Sequence, residues 1–132
     1  MLWLREPSVN IVLIAAGGAL GSVARYGLSS LVQRLVPTAF PLGTFAVNVA
    51  GCLVLGTIVG AAAGHRVTVS PQARAFVLIG LLGGFTTFSA FTYETYTLLH
   101  EGLVVRALVN TVGQVVLSLL ALWGGYTLAT SI

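Results

Sequence analysis

The chain has 132 residues, of which 57% are hydrophobic and 7% charged, with a mean hydropathy of +1.00 and a formal charge of +3. A soluble domain carries about 25% charged residues, so the class is an integral membrane protein with no soluble module. All six basic residues are arginines and they form no run or stripe, which excludes a nucleic-acid surface.

A membrane-crossing helix needs about 20 apolar residues, and four of them use roughly 80–100 residues. The predicted architecture is therefore all-α, one domain over residues 1–132, with four transmembrane helices joined by short turns. Arg5 and Glu6 precede the first span, which shows no small-residue cleavage pattern, so this segment reads as a retained helix rather than a signal peptide. The first span is placed at about 9–32. It contains Gly17 and Gly21, four apart, and ends in a polar half at Arg25 and Tyr26. Arg25 can draw anions into a vestibule or extend to the headgroups.

Pro37 and Pro41 bracket the first turn, and the second span is placed at 42–63. Gly56, Gly60 and Gly64 form a ridge of the kind that lets membrane helices approach closely. Asn48 lies inside this span; its amide needs partners and can donate either to another helix or to an anion. Cys52, the single cysteine, can form no internal disulfide and reads as a small apolar residue.

The third span, 71–99, opens at Ser70-Pro71, an N-cap followed by proline at the first helical position. It holds the most informative stretch, Gly83-Gly84-Phe85-Thr86-Thr87-Phe88-Ser89-Ala90-Phe91. Two glycines weaken a helix and β-branched threonines do not restore it. In lipid, a break is tolerated only where it is buried in protein or lines a watery cavity, and transporters place ion sites at such breaks. Carbonyls freed between Gly83 and Thr86 can face a hard cation. Phe88 and Phe91, three apart, project from one face. Their positive ring edges can line a path for a small anion without the full positive charge that would trap it. Thr86, Thr87, Ser89 and Thr92 add hydroxyls beside the rings, and Glu94 follows one turn later as an acid that would oppose an anion if ionised. His65 and His100 lie in separate turns and make neither a metal site nor a nucleophile–base pair, so no enzyme is expected.

The fourth span is placed at 103–128, with Asn110 and Gln114 four apart on one face, to extend a polar path or to bridge helices. Across all four spans, alternate membrane sides carry Arg5, Arg66 and Arg74 against Arg25, Arg34 and Arg106, a difference of 3 − 3 = 0. Orientation follows the Lys/Arg difference. With none, insertion both ways is permitted, and with it an antiparallel homodimer that brings two broken helices together on a two-fold axis.

At these residues the chain resembles the small dual-topology fluoride channels, the Fluc (CrcB) family. The resemblance is carried by Gly17–Tyr26 (GGxxGxxxRY), Gly43–Gly51 (GTxxVNxxG) and Gly83–Phe91 (GGxTTFSxF), and it runs through nearly the whole chain. It implies passive export of fluoride across the cell's plasma or inner membrane through two pores of an antiparallel homodimer in the lipid bilayer. It also implies a structural Na+ at the dimer centre on the backbone carbonyls of Gly83 and Thr86. Phe88, Phe91 and Asn48 match the pore positions, Ser89 and Thr92 the hydroxyl track, Arg25 the vestibule arginine and Glu94 the acid beyond the second ring. In the fourth span the family often shows a tyrosine and then a serine four residues on; here Asn110 and Gln114 stand there and are expected to face the pore. Two other classes are weighed. A small proton-coupled exporter needs an acid deep in the first span, which has none between Glu6 and Arg25. A non-transporting scaffold subunit explains the glycine ridges but not the grouped hydroxyls, amides and broken helix.

Overall fold

The computed structural model describes residues 7–132, and side chains from residue 10 onward; the readings placed on Arg5 and Glu6 lie outside the described residues. Four helices are long and apolar enough to cross a membrane, and no strand is present among the described residues. Helix α1 is Pro7–Leu35, α2 is Leu42–Ala63, α3 covers residues 71–85, α4 is Phe88–His100 and α5 is Val104–Ser131. The third span, Pro71–His100, thus consists of two helices, α3 and α4.

The ends follow from local chemistry. Helix α1 runs to Leu35, three residues beyond the predicted end, because Gln33 supplies the turn with hydrogen bonds. Its Nε2 donates to the carbonyls of Thr38 (2.7 Å) and Phe40 (3.3 Å), and its Oε1 accepts from the Gly43 N–H. Pro37 then stops the helix, since the residue before a proline is pushed out of helical geometry. Ser70 caps α3 as expected, its Oγ accepting from the Ala73 N–H at 3.1 Å, with Pro71 at the first helical position. Helix α5 is shifted toward the C-terminus of its predicted span, starting at Val104 and ending at Ser131.

Two tight helix pairs build the bundle: α1 packs on α3, and α2 on α5. Both are made by glycine. A Cβ on Gly17 or Gly21 would fall on the backbone oxygens of Phe76 and Leu81, and one on Gly84 would lie 2.6 Å from the Gly18 carbonyl oxygen. On the other pair, a Cβ on Gly56 would strike the Leu122 carbonyl oxygen, and one on Gly60 would come within 2.5 Å of the Tyr126 carbonyl oxygen. The ridges therefore press backbone against backbone, the contact that drives association when lipid removes the hydrophobic force. Gly56→Leu is expected to destabilise the protein by about 3 kcal/mol through overpacking, seen as a lower unfolding midpoint in detergent. Gly27→Ala, whose Cβ would meet nothing within 4 Å, should leave the midpoint unlowered, with a gain of up to about 1 kcal/mol from the better helix former.

Candidate functional site

The third span breaks, but not where the glycines stand. Gly83 and Gly84 remain helical: the segment Arg74–Leu82 is wound as a π-helix, and one α-turn, Gly83–Phe85, completes α3. The chain opens at Thr86 (φ −78°, ψ 155°) and Thr87 (φ −149°, ψ 121°) before α4 begins at Phe88. The reason is hydrogen bonding rather than glycine flexibility. Thr86 N–H still donates to the Leu82 carbonyl, at 3.0 Å. Thr87 N–H, which a continuing helix would direct to the Gly83 carbonyl, donates instead to Asn48 Oδ1 at 2.8 Å. Ala90 N–H, which would serve the Thr86 carbonyl, donates to Thr87 Oγ1 at 3.2 Å, so Thr87 is the N-cap of α4. The donors removed by the break include those that helical geometry would give to the Gly83 and Thr86 carbonyls.

Asn48 holds the break from α2. Besides accepting from Thr87, its Nδ2 donates to the Thr87 carbonyl (3.0 Å) and to Gln114 Oε1 (2.8 Å). From there a row of polar side chains crosses to α4. Gln114 Nε2 donates to Asn110 Oδ1 (2.8 Å), Asn110 Nδ2 donates to Thr95 Oγ1 (2.9 Å), and Thr95 Oγ1 donates to the Phe91 carbonyl (2.8 Å). Asn110 is 0% exposed and Gln114 4%. Amides buried at this depth must be satisfied, and here they satisfy each other.

Beside the break lies an open cavity of about 410 Å³. Its wall includes Asn48, Thr86, Thr87, Phe88, Phe91 and Gln114, together with Gly83 and Ser118. The two rings stand 5.4 Å apart between centroids and are tilted by 45°, on one face as the spacing predicts. Phe88 is 77% exposed and Phe91 half-buried. Among the described residues, no acidic or basic side chain lines the cavity.

The expected residues separate into those that meet at this cavity and those that do not. Ser89 and Thr92 are absent from the wall; Ser89 Oγ shares a hydrogen bond with Thr87 Oγ1 (3.3 Å), and the Thr92 hydroxyl donates to the Phe88 carbonyl (2.9 Å). Asn110, expected to face the pore with Gln114, sits behind the wall, spent on Thr95 and Gln114. Glu94 is half-buried away from the cavity. Its Oε1 accepts from the Thr44 hydroxyl at 2.6 Å, and its Oε2 is buried without a partner. Arg25 is half-buried on α1, also away from the cavity.

Ser118 and Cys52 enter the wall without having been singled out for it. Ser118 follows Gln114 by four residues on α5, a spacing that marks it as a neighbour on the same face. Cys52 stands four residues after Asn48 on α2 in the same way, and it is half-buried rather than enclosed.

The family model described as "CrcB-like protein, Camphor Resistance (CrcB)" matches residues 12–126. The chain belongs to the CrcB family. Three of its relatives carry the name "Fluoride-specific ion channel FluC". That of Paracoccus denitrificans is 51% identical over 114 residues, covering 86% of this chain and 89% of its own. Those of Nitratidesulfovibrio vulgaris (strain Miyazaki F) and Methylobacillus flagellatus are each 48% identical. The first match covers 88% of this chain and 93% of the relative, the second 90% and 93%. This CrcB-family chain is thus a multi-pass membrane protein, and the relatives are named for ion conduction rather than catalysis.

Proposed function

We propose that this protein is a passive fluoride-selective channel, working as an antiparallel homodimer with two pores. The observation that carries the reading is the cavity at the break, whose wall offers amides, hydroxyls and two aromatic rings but, among the described residues, no fixed charge. Fluoride is small and strongly hydrated, so a pore must replace its water with well-placed donors. It must also release the ion, which a lysine or arginine in the path would hinder. The names of the relatives support fluoride as the ion. Hydrogen fluoride enters a cell as the neutral acid and dissociates inside; an anion path then lets the membrane potential drive fluoride out.

Homodimerisation by a two-fold axis in the membrane plane is supported by the equal arginine count on the two sides. The Gly83 and Thr86 carbonyls suit a structural Na+ at that axis, since the break removes the N–H donors that a helix would give them and carbonyl oxygens suit a hard cation. The same two carbonyls from each subunit would supply four oxygens. Bound there, the ion would contribute a fixed positive charge between the subunits.

Proteoliposomes loaded with both halides, read in parallel with fluoride and chloride electrodes, test the reading. Rapid fluoride release that follows an imposed membrane potential, without a proton gradient and with little chloride release, is expected. A requirement for a proton gradient would replace the channel by a coupled exporter, although α1 carries no acid from Pro7 to Leu35.

A further inference from the structure

The direction of every hydrogen bond in the row between the break and α4 is set by one backbone group. Thr87 N–H can only donate, so the Asn48 side chain must turn its oxygen to it. Asn48 Nδ2 then has two protons and two acceptors, the Thr87 carbonyl and Gln114 Oε1. Because Gln114 accepts at Oε1, its nitrogen faces Asn110 Oδ1, and Asn110 in turn gives its nitrogen to Thr95. Asn48 is thereby exhausted as a donor. Gln114 Nε2 carries two protons and spends one on Asn110; no acceptor among the described residues takes the other. Asn110 also keeps a second proton, but it lies behind the cavity wall, whereas Gln114 is in the wall and 96% buried.

We infer that Gln114, rather than Asn48, presents the free amide N–H to an anion in the cavity, and that Asn48 is the positioning residue that holds the break and polarises Gln114. An amide that accepts at its oxygen becomes a stronger donor at its nitrogen, and low local dielectric enlarges the effect. The Asn48-to-Gln114 bond therefore primes the proton that faces the cavity. Hydrogen bonds from neutral donors to a charged acceptor are about twice as strong as neutral ones, so this N–H adds one strong donor to those that replace the anion's water. The inference rests on the fluoride reading above.

The test is a fluoride titration of the full-length protein in lipid nanodiscs, labelled with ¹⁵N at its Asn and Gln side chains. The Gln114 resonance is identified by its loss in Gln114→Glu. Fluoride, and not chloride, is expected to shift the Gln114 Nε2 signal while the Asn48 Nδ2 signal stays in place. In liposomes, Gln114→Met is expected to lower fluoride efflux about tenfold, and Gln114→Ser, which returns a donor to the wall, to recover part of it. A fluoride-dependent shift at Asn48 with none at Gln114 overturns the assignment, as does undiminished efflux in a folded Gln114→Met dimer. If the unaltered protein releases fluoride but Gln114 is silent, this assignment alone fails. If the unaltered protein releases none, the channel reading fails with it.

Discussion

Replacing both Phe88 and Phe91 by isoleucine is expected to reduce fluoride efflux to the background of empty liposomes while the protein still purifies folded, in the same assembly as the unaltered protein. The rings are the largest side chains in the cavity wall, tilted at 45° to each other with centroids 5.4 Å apart. Their edges carry partial positive charge, whereas isoleucine offers bulk without an electrostatic edge. An ion stripped of water and given nothing in return meets a large barrier. Stability should change little, because Phe88 is 77% exposed and neither ring belongs to the buried apolar core. The readouts are a fluoride electrode for flux and size-exclusion chromatography for assembly. Flux equal to that of the unaltered protein would sink the ring-edge role.

The second large effect is expected at Asn48. Asn48→Leu removes three hydrogen bonds at once and leaves the Thr87 N–H, the Thr87 carbonyl and Gln114 Oε1 without their partner. At roughly 1 kcal/mol for each bond, the expected loss is about 3 kcal/mol. It should be accompanied by faster hydrogen exchange at the Thr87 amide, because the group that opens the helix is released. Thr92→Val serves as the comparison. The Thr92 hydroxyl is exposed and bonds only to the Phe88 carbonyl one turn back, so the change should stay within about 0.5 kcal/mol. An Asn48→Leu protein as stable as the original, with Thr87 still protected, would show that the break stands without its clamp.

Much of this could be read from residue order. Hydropathy marks helical spans, and glycines at intervals of four mark close helix pairs, because both are properties of a single helix and its surface. The rings of Phe88 and Phe91 share a face for the same local reason. Ser118 was within reach of the same rule, one turn beyond Gln114. The point of fracture was not. Glycine composition pointed to residues 83 and 84, yet packing against α1 keeps Gly84 helical. The opening occurs at Thr86 and Thr87 because an amide 39 residues earlier captures one backbone N–H.

The division between Asn110 and Gln114 has the same origin. Four apart on one helix, they look equivalent in sequence, but Thr95 on α4 takes one and the cavity receives the other. Sequence alone determined the membrane class, the helical spans, the small-residue contacts and the motifs of the CrcB family, since each depends on neighbours within a few turns. Tertiary structure alone decided where the third span opens, which carbonyls lose their donors and which of the two amides on α5 lines the cavity. Hydrogen-bond partners separated by 39 and 66 residues are chosen only when the helices meet.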